Sequence, residues 1–190
     1  MILNDFFDYF GRIFKRGDLS PRKKEEMLKG INNVNVALKN ILDNINLQHL
    51  HFMNKAMYYG KTYGTCDRRK VGAVVVKDGS IIGVGFNTAL NNTDTCNDHD
   101  HFMINGSCKR TIHAEMMAMD SIIKTESSKD FSSLVMYCTD KPCLECAKQL
   151  ALHGISKVYY LRDYPSNYDE LNLPIEIIQL EVEHDAATTS

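Results

Sequence analysis

Apolar positions in the first 46 residues recur at helical spacing, whereas those after residue 70 fall into short runs divided by turn residues. Phe6, Phe7, Phe10, Ile13 and Phe14 make one apolar face over residues 1 to about 18, suited to packing on the body of the protein or on a neighbouring subunit. Ser20-Pro21 then reads as a helix start, with a cap residue, proline just inside and Glu25-Glu26 in the early turns. Met27, Ile31, Val34, Leu38, Ile41 and Ile45 alternate steps of four and three, the spacing of a coiled-coil seam. The seam lasts about two and a half heptads, short of the three to four of a free-standing coiled coil. It predicts a helix docked on the domain or paired across an oligomer interface.

From Leu47 the pattern changes. A helix over about 49 to 62 leads through Gly64 to a hairpin, with Val71–Val76 and Ile81–Phe86 as strands and Lys77-Asp78-Gly79-Ser80 as the turn. Residues 87 to 109 are polar and predict a long loop. The order then becomes helix (113–124), polar linker (127–130), strand (133–138), helix (143–153, ending at Gly154) and strand (157–161). A short helix or turn and a last strand over 175–180 complete it. Strands alternating with helices after an opening hairpin predict an α/β fold: a mixed central sheet of about five strands with helices on its faces. The expected organisation is a helical extension (1–46), one domain (47–181) and a frayed tail (182–190).

Composition narrows the class. A chain of 190 residues, 44% hydrophobic and 24% charged, has room for one ordinary core and an extension. It has no apolar run approaching the roughly 18 to 20 residues that span a bilayer. The first residues lack the positive start and cleavage site of a signal peptide, so a cytoplasmic protein is expected. A net charge of −2 gives no general attraction to nucleic acid, although Arg68-Arg69-Lys70 could hold a phosphate or form a solvated turn. In such a chain six cysteines point to metal ligands rather than disulfides.

The chemistry concentrates in His113-Ala114-Glu115 and Pro142-Cys143-Leu144-Glu145-Cys146. A catalytic zinc needs three protein ligands and a fourth position open to water, and His113, Cys143 and Cys146 supply three. Glu115 is then left free to carry a proton. The combination His-x-Glu with Pro-Cys-x-x-Cys is the signature of zinc-dependent nucleobase deaminases. Each half alone is weak, since two cysteines three apart also serve as a redox pair or half of a structural zinc site. In the predicted arrangement His113 and Cys143 both start helices, whose positive N-termini favour the thiolates that zinc requires. Met116, Met117 and Met119 read as core-facing helix residues.

With these residues in view, residues from about 49 to 165 resemble the deoxycytidylate deaminases of the cytidine-deaminase superfamily, including its bacterial competence-associated and phage members. Cys66 to Val74 resembles that family's Cys-x-Arg-x-x-Val-Gly-Ala-Val, Gly85-Phe86-Asn87 its Gly-Tyr-Asn, and Cys108 to Glu115 its approach to the active site. Val158-Tyr159-Tyr160 is similar to its strand after the second zinc helix. The resemblance implies a three-layer cytidine-deaminase-like fold and hydrolysis of deoxycytidine monophosphate (dCMP) to deoxyuridine monophosphate (dUMP) and ammonia. Deoxycytidine triphosphate, a free nucleoside or a cytosine-containing single strand are the alternative substrates, the last opposed by the net charge and the absence of tryptophan. By the same resemblance Asn87 holds the sugar, the backbone around Ala114 reads the pyrimidine, and the first loops hold the phosphate.

It also implies homo-oligomers, hexameric or dimer-based, and effectors, with deoxycytidine triphosphate activating, thymidine triphosphate inhibiting and Mg2+ accompanying a triphosphate. A second, structural zinc is implied for Cys66, Cys96 and Cys108 with His99 or His101, the alternative being a solvated loop. Two departures bear on the monophosphate and on regulation. Thr88-Ala89-Leu90 replaces the family's Gly-x-Pro, and Met117 stands where an asparagine is usual.

Overall fold

The computed structural model describes residues 20–181 apart from 92, 105, 126–130, 132 and 167. The apolar face expected over residues 1 to 18, the linker at 127–130 and the tail from 182 lie outside the described residues. The chain forms two compact units, Met1–Gln48 and His49–Ser190. In place of the two helices expected on either side of residue 47 there is one, α1 (Pro21–Tyr63). Its cause is plain in the sequence: Ile45-Asn46-Leu47-Gln48 contains no glycine or proline to stop a helix. Ser20 caps it as expected, its Oγ accepting from the Lys23 N–H at 3.4 Å.

In the second unit, β1 (Gly72–Lys77) and β2 (Ser80–Phe86) form the predicted hairpin. Asp78 and Gly79 have φ of 49° and 76°, the two left-handed residues of a tight Asp-Gly turn whose twist suits the strands it joins. The long loop holds a small hairpin of its own, β3 (Met103–Ile104) and β4 (Ser107–Cys108). Then follow α2 (Ala114–Thr125), β5 (Val135–Asp140), α3 (Leu144–Leu152), β6 (Lys157–Arg162), a single 3-10 turn at Asp169–Leu171 and β7 (Glu176–Gln179). The sheet order is β2-β1-β5-β6-β7. β1 is antiparallel to β2 and β5, and β5, β6 and β7 run parallel, so the sheet is mixed.

Both faces of β1 are buried, which is why its sequence is a continuous apolar run rather than an alternation. Ala73 and Val75 share a core with Ala114, Ala118, Met119 and Ile122 of α2 and with Leu150 of α3. Val74, Val76 and Tyr137 point the other way, to Phe52, Met53 and Ala56 on the part of α1 that belongs to this unit. The result is three layers with the sheet in the middle.

A glycine sets the distance on each face. A Cβ on Gly72 would lie 1.9 Å from the Ala56 carbonyl oxygen, and one on Gly85 would lie 2.0 Å from that of Ala114 and 2.4 Å from the Ala118 nitrogen. Gly85 therefore lets the first turn of α2, where His113 and Glu115 sit, lie against the sheet. Gly85→Ala is expected to destabilise the fold by about 2–3 kcal/mol, read as a lower urea midpoint at unchanged slope. An unchanged midpoint would mean that α2 can retreat at no cost.

Candidate active site

His113 immediately precedes α2 and its carbonyl accepts the Met117 N–H at 3.1 Å, while Cys143 is the N-cap of α3. Cys146 lies one turn into α3, so both thiols point to the same side of its first turn. The His113 Nδ1 is 3.4 Å from Cys143 Sγ and 3.3 Å from Cys146 Sγ, and the three donor atoms lie within 4.8 Å of one another. Zinc bonds of about 2.0–2.3 Å in a tetrahedron place ligand atoms roughly 3.3–3.8 Å apart, so the donor types and spacings fit that ion. The proton inventory agrees. The Cys146 thiol donates to Cys143 and, against the effect of burial, holds Cys143 as a thiolate with a pKa of about 3; Cys146 is raised by the same bond. The contact with Cys143 in turn raises His113, outweighing burial.

Glu115, two residues on, is 3% exposed. Burial pushes its carboxyl up to about 7, opposed by the neighbouring His113. A carboxyl in that range can both accept and donate a proton near neutrality.

These groups face a cavity of about 550 Å³, counting its open mouth. Its wall includes His113, Ala114, Glu115 and Cys143, and also Arg68, Arg69 and Lys141. Asn87 lines it too, but its side chain is engaged with the backbone, the Oδ1 accepting from the Val71 N–H at 2.9 Å and the Nδ2 donating to the Arg69 carbonyl at 2.6 Å. Asn87 thus fixes the loop that carries Arg69. The altered segment beyond it is also pinned: Thr88 bridges Ile112, and the Ala89 N–H donates to Thr65 Oγ1 at 3.0 Å.

A second donor set forms nearby from Cys66, Cys96, His101 and Cys108. Cys66 Sγ is 3.7 Å from His101 Nδ1, and Cys96 Sγ is 3.7 Å from Cys108 Sγ. Of the two histidines considered, His101 joins this group, whereas His99 is exposed and pairs with Asp94 at 3.1 Å. Burial raises the Cys96 thiol to about 12, while Cys108 is brought to about 7 because donors from Arg110 and His101 outweigh burial. Three sulfurs and one nitrogen would close a structural zinc site. Asp67 accepts from the other ring nitrogen of His101 at 3.1 Å, the carboxylate partner that orients ligating histidines.

Sequence reasoning missed Asp67, Asp140, Lys141, Tyr164 and Arg162. An acid at the end of a buried strand, three residues before Cys143, was the available signal for Asp140. Tyr164 lies in a loop with no pattern to mark it, yet its ring lies 5.2 Å below the Arg69 guanidinium carbon.

A three-layer sheet carrying one His and two Cys at adjoining helix N-termini, beside a buried Glu, defines the zinc-dependent deaminase class. Residues 47–162 match the family described as the cytidine and deoxycytidylate deaminase zinc-binding region. ComE operon protein 2 of Bacillus subtilis is 33% identical over 123 residues, 62% of this chain and 64% of its own. The deoxycytidylate deaminase of Saccharomyces cerevisiae is 27% identical over 70% of this chain and 46% of its own, so the chain spans less than two thirds of either relative. The crystal structure of cyanophage S-TIM5 dCMP deaminase in complex with dCMP and dUMP superposes with a TM-score of 0.57 at 29% identity, covering 68% of this chain and 94% of that one. The chain belongs to the cytidine and deoxycytidylate deaminase zinc-binding family.

The two donor sets predict two zinc ions per chain by elemental analysis. Cys143→Ser and Cys96→Ser should each remove one, whereas Cys138→Ala, at a buried cysteine in neither set, should leave both. Unchanged metal content in Cys96→Ser would return residues 96–108 to the status of a plain loop.

Proposed function

We propose that the chain is a zinc-dependent hydrolase that converts dCMP and water to dUMP and ammonia, within pyrimidine deoxynucleotide metabolism in the cytoplasm. One observation carries the reading: the cavity lined by the zinc donors and Glu115 is also lined by Arg68, Arg69 and Lys141, cations suited to a phosphate. Similarity to the deoxycytidylate deaminases of Saccharomyces cerevisiae and phage T4, and to the cyanophage structure with dCMP and dUMP, supports the same substrate. Among the described residues no helix is long and apolar enough to cross a membrane.

In this reading His113, Cys143 and Cys146 hold the zinc. The metal, when bound, supplies the Lewis acidity that makes water nucleophilic at neutral pH. Glu115 takes the proton from the attacking water and passes it to N3 of the cytosine. Oxygen adds at C4; Glu115, having given its first proton to N3, then takes the proton of the new C4 hydroxyl and hands it to the amine, so that the C4–N bond breaks with release of ammonia and the C4 carbonyl forms. The backbone at Ala114 reads the pyrimidine edge. Asn87 contributes to the sugar with the hydrogen-bonding capacity left after its two backbone bonds. Cys66, Cys96, His101 and Cys108 hold a structural zinc. Self-association, in hexamers or dimer-based assemblies, and control by deoxycytidine and thymidine triphosphates with Mg2+ follow from the family likeness.

Glu115→Gln should keep its zinc and lose turnover by roughly 10²- to 10⁴-fold. Ammonia release would be measured from deoxycytidine, its mono- and triphosphates, and a cytosine-containing single strand. Retained turnover in Glu115→Gln would overturn the proton role. Preference for the triphosphate or the strand would overturn the substrate and move specificity to the segment Thr88 to Leu90.

A further inference from the structure

Asp140 ends β5 with its side chain only 6% exposed, and it stands between two arginines from different parts of the chain. Its Oδ2 accepts from Arg162 Nη2 at 2.6 Å and from Thr139 Oγ1 at 2.8 Å. Its Oδ1 lies 2.5 Å from Arg69 Nε, yet it has no aligned hydrogen-bond donor. Arg69 is offset by proximity but is not captured by a forked bond. It is held instead by its Nη2, which donates to the Asp163 carbonyl at 3.0 Å, and by the Tyr164 ring. Arg69 and Asp140 line the cavity, whereas Arg162 stands behind Asp140 and does not. Arg162 Nη2 also donates to the Lys70 carbonyl at 2.8 Å, so it ties the back of the Arg69 loop to the end of β6.

The charges explain why a second arginine is there. A carboxylate alone beside Arg69 would cancel the cation that faces the cavity and, being buried, would do so at low dielectric. Sharing that carboxylate with Arg162 leaves the trio with a net positive charge, and of the two members that line the cavity Arg69 is the more exposed. We infer that Arg162 and Asp140 are positioning residues for nucleotide specificity: Asp140 draws Arg69 to the cavity wall by charge, and Arg162 keeps Asp140 from neutralising it, so that the cavity retains a cation for the substrate phosphate. This inference rests on the monophosphate reading above and adds to it two residues outside the zinc chemistry.

Arg162→Gln is the test, since its side chain is half exposed and its loss leaves no cavity in the core. KM and kcat would be measured for dCMP and for deoxycytidine in the zinc-loaded full chain, alongside Arg162→Lys. Arg162→Gln should raise KM for dCMP on the order of tenfold, the equivalent of about 1.4 kcal/mol, with kcat and the nucleoside KM nearly unchanged. Arg162→Lys should recover most of the loss, because the charge returns. An equal change on both substrates, or no change on either, overturns the inference while the substrate reading stands. A wild-type chain that takes deoxycytidine as readily as dCMP overturns the substrate reading, and this inference falls with it.

Discussion

The contact between backbone and backbone at Gly85 determines where the chemistry can stand. Strand β2 and helix α2 meet there with no side chain between them. Ala114 and Ala118, both fully buried, keep the approach close along the first turns. The first turn of α2 is therefore not on the rim of the protein but pressed into it, and Glu115 is carried below the surface with it. An ordinary surface glutamate would stay ionised and hydrated. This one has lost its water, and that loss raises its proton affinity towards neutrality.

Burying a carboxyl, two thiols and an imidazole together would be costly if each kept its own charge. The arrangement resolves this by sharing. The bond between Cys143 and Cys146, one turn apart at the start of α3, favours the Cys143 thiolate, and that thiolate in turn raises the proton affinity of His113. The three candidate donors stand beside the positive ends of two helices, which favour the thiolate form. Tetrahedral spacing among the donor atoms follows from the fold alone.

Much of this was legible in the sequence, for particular reasons. That His113, Cys143, Cys146 and Glu115 would come together was readable because they lie within two short segments, so local spacing carries them. The hairpin was readable because Asp-Gly is one of the few pairs that accommodate the two left-handed residues between β1 and β2. The order of strands followed from alternation. The continuity of α1 was obscured because the change from seam spacing to core spacing near residue 47 looks like a boundary, although no residue there breaks a helix. Asp140, Arg162 and Tyr164 could not be read at all. Arg69 meets Asp140 and Tyr164 across 71 and 95 residues of chain, and Arg162 meets Asp140 across 22, distances over which periodicity carries no information. The choice of His101 over His99 has the same origin, since both stand in the same polar loop and only the fold decides which turns inward.

The stretch from Gly64 to Gly72 serves two places at once. Cys66 faces the outer donor set, and three residues later Arg69 faces the cavity, with Asn87 bonded to the backbone on either side at Thr65, Arg69 and Val71. Nine residues are too few to let one end move without the other. Two ligands that both prefer this stretch in a single conformation must then help each other, and by the same factor in each direction. A ligand held by the outer donor set and one held in the cavity would therefore be thermodynamically linked. Each would relieve the other of part of the entropy of ordering the loop, and affinity at either position would then depend on occupancy of the other.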